Sequence, residues 1–308
     1  MNGLTEIFDV SPDGMIAYVA YHEGQQHIVL KTEREEQLAL DVNKEKVILD
    51  IAFSPDGSSL VYAITGKDIE SELLSTVNVL DIDSLSDESL FQKDGIIAEV
   101  AFDPKDENQL FYLKADTYEN YSPIARANPH DFDIYSYYLP KETHTEITNF
   151  EKYSMNSLQV SSEEEAVYIQ MFDDALAETA EDIFDAQQKI FKVPLESPET
   201  LSVISDPKKE IDIYDFAMLP DEEKIVYQSI SNAKSGGTFQ YELYLYDSSS
   251  NDETQLTNLQ QYAASPVIAE NYIYFITDFQ FAGKHPDYRL YKIDLNGENP
   301  VEIELEFQ

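Results

Sequence analysis

The apolar and polar positions of this chain alternate in short bursts that recur along its whole length. VSPDGMIAYVA from Val10 and FSPDGSSLVYA from Phe53 share one phrase: an apolar residue, a Ser-Pro-Asp-Gly turn, then an apolar run closed by an aromatic residue. Equivalent apolar triplets end at Tyr18, Tyr62, Tyr112, Tyr168, Tyr227 and Phe275, spaced 44, 50, 56, 59 and 48 residues apart. Pro presets one turn angle, Asp bonds back to nearby amides and Gly accepts positive φ, so the phrase predicts a tight joint between two antiparallel strands. The turn weakens to DPKDEN at Asp103, SSEEE at Ser161 and LPDEEK at Leu219, and only SPVIAEN remains at Ser265.

The downstream half of each unit also repeats, as HIVLKT from His27, TVNVLDID from Thr76, DIYSYYLP from Asp133, KIFKVPL from Lys189, ELYLYDSS from Glu242 and RLYKIDLN from Arg289. Alternation of this kind marks strands with one buried face. A short outer segment follows each, for example TEITNF from Thr145 or VEIEL from Val301. Four short strands in a unit of this length are the signature of a propeller blade. The sequence thus predicts an all-β, six-bladed β-propeller as a single domain, with blades over about 5–43, 44–94, 95–152, 153–208, 209–260 and 261–308. Since each blade is built from consecutive sequence, the ring closes by packing of blade one on blade six with no shared strand, and the weakest seam is expected there.

Composition agrees with a folded globule: 43% of residues are hydrophobic and 12% aromatic. Sixty Asp and Glu against 20 Lys and Arg give a formal charge of -40, which repels phosphate backbones and anionic lipid surfaces. Nucleic acid is therefore not an expected partner, and no apolar run is long enough for insertion into a membrane. With no Cys, disulfides, thiolate nucleophiles and Cys-based metal sites are excluded. MNGLTEIF is not a signal peptide, so the expectation is either a cytoplasmic protein or one whose export signal lies outside these 308 residues.

In a four-stranded blade the loops between second and third strands share a face with the blade-to-blade connections, and the SPDG turns lie on the other face. Length variation falls on the former: Ala115 to Asp133 in blade three, Asp173 to Gln188 in blade four, Ser231 to Gln240 in blade five and Asp278 to Arg289 in blade six. In the blade-four insertion Leu176, Ala180, Ile183 and Phe184 stand at helical spacing and predict a short amphipathic helix. Scarce cationic side chains gather in these loops: Arg126 and His130, Lys234, and Lys284, His285 and Arg289. With Tyr118, Tyr121, Phe239, Phe279 and Phe281 they form a candidate surface for an anionic or carbohydrate ligand or for a partner protein, because loops on a rigid scaffold carry binding residues.

Catalytic patterns are absent: no G-x-S-x-G elbow, H-E-x-x-H helix, phosphate loop or EF-hand spacing occurs. No cofactor is evident; a carboxylate-rich structural calcium site is compatible with the composition but no spacing points to one.

The blades resemble the WD-like repeats of the TolB type, in which an inner strand, SPDG and an apolar triplet precede a -LYxxDxxxGxxxxLT- stretch. ELYLYDSSSNDETQLT and RLYKIDLNGENPVEIE match that second half; unit four, with neither Pro nor Gly in its turn, departs most. The resemblance covers essentially the whole chain and implies a bacterial protein acting outside the cytoplasm as a binding or scaffolding module. TolB has a further N-terminal domain not contained in these residues, and prolyl oligopeptidase-type propellers precede a hydrolase domain, so neither a Tol-complex role nor a gating role is carried over. The leading expectation is a non-catalytic extracytoplasmic propeller binding a partner protein or cell-envelope component. The alternatives are a hydrolase or lyase on envelope or extracellular glycans, with His130, His285 and Arg126 at the central funnel, and a cytoplasmic interaction scaffold.

Overall fold

The computed structural model describes residues 2–68, 73–121, 127–206, 209–235 and 237–306. Among these residues twenty-four strands, numbered β1 to β24 in chain order, form six four-stranded sheets, each built from four consecutive strands hydrogen-bonded antiparallel in sequence order. This is the predicted six-bladed propeller. The innermost strands are β1 (Gly3–Val10), β5 (Lys46–Phe53), β9 (Ile96–Asp103), β13 (Met155–Val160), β17 (Asp215–Met218) and β21 (Ala263–Ala269). Among the described residues helix is limited to two 3-10 turns and α1 (Ala180–Asp185).

The SPDG phrase does what its chemistry dictates. At the first joint Gly14 donates its N–H to the Ser11 carbonyl at 3.0 Å with φ of +85°, while the Ser11 hydroxyl donates to Asp13. In blades five and six, where the Gly is missing, Glu222 and Glu270 occupy the left-handed region instead, with φ of 52° and 54°.

All six anchors of the repeat lie in second strands and are buried, with at most 4% of their surface exposed. Each tyrosine among them buries a ring and still satisfies its hydroxyl, as a buried phenol must. Tyr18, Tyr62 and Tyr227 donate to Glu36, Asp87 and Glu253 on or beside the outer strands of their own blades, Tyr168 donates to Glu222 at 2.8 Å, and Tyr112 lies 3.0 Å from a ring nitrogen of His144.

The core is a ring of six apolar clusters, one in each seam between neighbouring blades. The seam between blades three and four holds 13 buried residues, including Phe111, Ile134, Met155 and Phe191. At the closing seam, Leu4, Phe8, Tyr18 and Val29 of blade one meet Tyr274, Ile276, Leu290 and Leu305 of blade six in a cluster of 12. The thinnest lies between blades four and five, with seven. No strand is shared at closure, as the sequence implies, but the core there is among the thickest, so the expected weak seam is not where the packing is thin. Each large buried side chain contributes about 1.5–3 kcal/mol, and loss of the clasp is offset by burial. Native-state hydrogen exchange is expected to show the second strands of blades one and six as slow as those of blade three. Exchange of blades one and six well ahead of all others would show that core thickness does not set seam strength.

Candidate functional site

The inner strands are sheet edges, and their channel-facing N–H groups have no partner in their own blade. Five of the six seams satisfy such groups with an inner-strand side chain from the blade before. Asp9 accepts from Phe53 N at 2.7 Å and Asp50 from Val100 N at 2.8 Å. Glu99 accepts from Ser157 N at 2.8 Å and Leu158 N at 2.6 Å, and Asp215 accepts from Ser265 N at 3.0 Å. Between blades four and five Gln159 takes the same part, accepting from Met218 N and donating to the Phe216 carbonyl, both at 2.8 Å. At the closing seam a side-chain pair replaces the pattern: the Tyr262 hydroxyl donates to Glu6 at 2.7 Å. Register shifts in the inner strands make this possible. In β13 and β21 the irregular stretch carries Ser157 and Ser265 at φ of 60° and 52°, turning their amides out of their own ladder toward the neighbouring carboxylate.

These carboxylates are half-buried on the channel wall without a basic partner, and desolvation dominates their titration. Asp9 and Asp215 are pushed up to about 6 and Glu99 to about 7, backbone hydrogen bonds opposing the rise; Asp50 is raised well above the usual range by burial and by the charge of Glu99. Asp50→Asn keeps an acceptor for Val100 N and removes the buried charge, so it is expected to raise the melting temperature at pH 8. Asp50→Ala orphans the amide and is expected to cost about 1–3 kcal/mol by denaturant titration. Equal effects of the two substitutions would refute this division of roles.

The inner strands enclose a channel of about 1010 Å³ whose wall carries Glu6, Asp9, Asp50, Glu99 and Asp215. Two further cavities open at the end of the channel where the second-to-third loops emerge. One, of about 750 Å³ between blades six and one, is bounded by Gly3, Glu6, Tyr21, Gln26, His285 and Tyr288. The other, of about 340 Å³, is walled by Tyr214, Tyr241, Tyr262 and Phe281 over Glu6 and Asp215. Glu6 belongs to all three, and Tyr214 and Asp215 to both the channel and the aromatic cavity. Phe281 stacks on Tyr262 with centroids 4.8 Å apart, and Tyr241 stands edge-on to both at 5.5 Å. Burial raises the Tyr214 phenol to about 12, aided by the charge of Asp212, and raises Tyr262 and Tyr288 further beside Glu6, so these hydroxyls stay protonated donors.

The candidate residues taken from sequence are placed in three groups. In blade three the expected loop is a continuing hairpin: β10 (Asp106–Asn120) and β11 (Ala127–Tyr138) stay paired from Gln109–Tyr138 out to Asn120–Ala127. Arg126 lies outside the described residues. Tyr118 is half-buried against the blade three/four core, and His130 is buried, its Nδ1 3.0 Å from the Asn128 carbonyl oxygen and its ring 5.1 Å from Tyr121. Tyr121 and Tyr153 bracket Phe184 of α1, holding the blade-four insertion against the hairpin. The helix is shorter than its predicted spacing: Thr179 caps it through a reciprocal bond pair with Asp182, and Leu176 precedes it, 95% exposed. In blade five Lys234 and Phe239 are exposed on a loop tied by Asn232, which donates to the Thr238 carbonyl and accepts from Gln240 N. In blade six Lys284 and His285 are exposed, Phe281 turns into the aromatic cavity, and Arg289 lies 4.5 Å over the Phe279 ring, paired with Asp287 and Glu302.

The cationic residues therefore do not meet in one pocket. His130 and His285 stand on blades three and six, opposite each other across the ring, and among the described residues no group of three or more His, Asp or Glu is placed to hold a metal ion. The residues the structure does bring together, Glu6, Tyr214, Asp215, Tyr241 and Tyr262, escape sequence reasoning. Their only signal is a tyrosine just ahead of an inner strand in successive blades, at Tyr153, Tyr214 and Tyr262.

Together these features define a six-bladed propeller with an acidic central channel and an aromatic cavity at the mouth of its elaborated face. Among solved structures the chain is similar to TolB from Acinetobacter baumannii, with a TM-score of 0.66 and 14% identity over 96% of this chain and 65% of that one. A structure of a nidogen/laminin complex gives 0.61 and 9% identity over 96% and 90%, and a puromycin-hydrolyzing peptidase from Mycobacterium tuberculosis gives 0.59 and 12% over 96% and 44%. The chain thus spans less than two thirds of that TolB and under half of the peptidase, and at these identities the likeness is one of fold: a TolB-like propeller. No family model and no curated protein matches the sequence.

Proposed function

We propose that this chain is a non-catalytic binding propeller acting outside the cytoplasm, which docks a partner protein or cell-envelope component on the face of the second-to-third loops. The observation that carries the reading is where exposed apolar surface lies. Of the six large hydrophobic side chains exposed among the described residues, four belong to that face: Leu176 at 95%, Phe239 at 49%, Phe279 at 41% and Leu259 at 37%. They come from loops and connections of three successive blades, four, five and six. The other two, Leu38 and Val301, lie on outer strands. Scattered exposed leucines need no explanation, but apolar side chains gathered on one face of a chain with 60 acidic residues fit a desolvated contact ringed by charge.

Location outside the cytoplasm is supported by the resemblance of the repeats to the TolB type. Among the described residues no helix is long and apolar enough to cross a membrane. The TolB and nidogen/laminin likenesses fit a binding role, and the peptidase likeness is to a chain more than twice as long as the matched region.

Capture of a defined partner from the envelope fraction tests the face. A variant carrying Leu176→Ser, Phe239→Ser, Leu259→Ser and Phe279→Ser is expected to lose a partner that the unmodified chain and a Leu38→Ser control both retain, with a drop in affinity of at least tenfold. Retention by the fourfold variant, or equal loss in the control, would remove this face from the proposal.

A further inference from the structure

The aromatic cavity at the channel mouth is a concave site with a definite chemistry. Its walls are the rings of Tyr214, Tyr241, Tyr262 and Phe281, and its floor carries the carboxylates of Glu6 and Asp215. Negative charge there is not neutralised from within: among the described residues bounding this cavity, its neighbour between blades six and one, and the channel, none is Lys or Arg. Glu6, Asp9 and Asp215, with no fixed cation around low-dielectric walls, focus a negative potential at the mouth, on top of the overall charge of -40. Phosphates, carboxylates and acidic sugars are repelled from such a site; cations are drawn to it.

The kind of cation follows from how the oxygens are used. A hard metal ion needs several free oxygens converging at short distance. Here Asp215 is spent on Ser157, Phe216 N and Ser265 N, and Glu6 already accepts from Tyr262. The remaining lining is the four aromatic rings with Gln228, Ala264 and Ser265. Ring faces with a carboxylate behind them suit a bulky, weakly hydrated organic cation, whose charge is held by the aromatic quadrupole and whose methylene groups are buried against the walls.

We infer that the cavity formed by Tyr214, Tyr241, Tyr262 and Phe281 over Glu6 and Asp215 binds an organic ammonium group, carried either by a free polyamine or by a lysyl side chain of a partner. The lysyl case rests on the binding-face reading above; the polyamine case does not, and failure of either leaves the apolar rim and its own test untouched. Phe281 is the residue whose ring completes the stack, and Glu6 is the charge shared by all three cavities.

Isothermal titration calorimetry of the full chain with spermidine, with the peptide acetyl-Gly-Lys-Gly-amide and with its side-chain-acetylated form decides the matter. One-to-one binding of spermidine or the lysyl peptide that persists in 0.5 M NaCl, is absent for the acetylated peptide and weakens at least tenfold in both Glu6→Gln and Phe281→Leu is the expected result; which probe binds identifies the source. Phe281 is on a loop and half-exposed, so Phe281→Leu decides alone if Glu6→Gln fails to fold. No binding of either amine overturns the inference. So does binding that is unchanged in a folded variant or vanishes with salt, which would be diffuse attraction to an acidic surface.

Discussion

The hydrogen bond from a backbone amide of one inner strand to a side chain of the preceding inner strand is the contact on which this ring depends. A propeller blade must end in an edge at the channel, and an edge must satisfy its amides or invite another strand. Asp9, Asp50, Glu99 and Asp215 meet that demand across four seams and Gln159 across a fifth. Each bond also fixes the rotation of one blade against the next. The apolar clusters supply most of the free energy, but apolar packing is non-directional; the inner-strand bonds set the register in which the clusters form.

The same contact shapes the channel. A neutral acceptor would have satisfied the amides, as Gln159 demonstrates. Using carboxylates leaves a column of half-buried acids with no basic partner, opening at Glu6 onto an aromatic cavity and at the loops onto exposed apolar side chains. Structural bonding and the electrostatic character of the mouth thus come from one set of residues, while the chemistry that varies between blades sits in the loops above.

The ring was legible because its signals are local and repeated. SPDG, the apolar triplets and the alternating third strands each state a strand or a turn within ten residues, and six copies remove the ambiguity of any one. The site was less legible for two physical reasons. Asp9, Asp50, Glu99 and Asp215 are indistinguishable in sequence from the other 56 acids, because what sets them apart is a register shift and a neighbour some fifty residues on. The scarce cations drew notice as a group, yet Arg289 is consumed by Asp287 and Glu302 and His130 by its own hairpin. Phe281 alone among the sequence candidates enters the aromatic cavity. In blade three the stretch expected as a long loop extends two strands by ten or more residues, since Thr117 and Tyr118 favour strand as readily as an exposed loop.

The most direct test is the stability of the unmodified chain between pH 4.5 and 7.5 in 1 M salt, where repulsion among surface acids is screened but buried groups are not. Carboxylates whose folded pKa exceeds the unfolded value bind more protons when folded, so unfolding free energy falls as pH rises from about 4 through the folded values of about 6 and 7. Groups held below their usual range act in the opposite sense, acids such as Glu222 toward the acid end and His144, lowered by burial, within the window, so the four raised carboxylates must outweigh them for stability to decline. A decline in stability across the window with net proton uptake on folding is the expected result. Stability that is flat or climbs with pH would mean that the inner-strand carboxylates are not buried against their neighbours' amides, and the account of how the ring is held would fail.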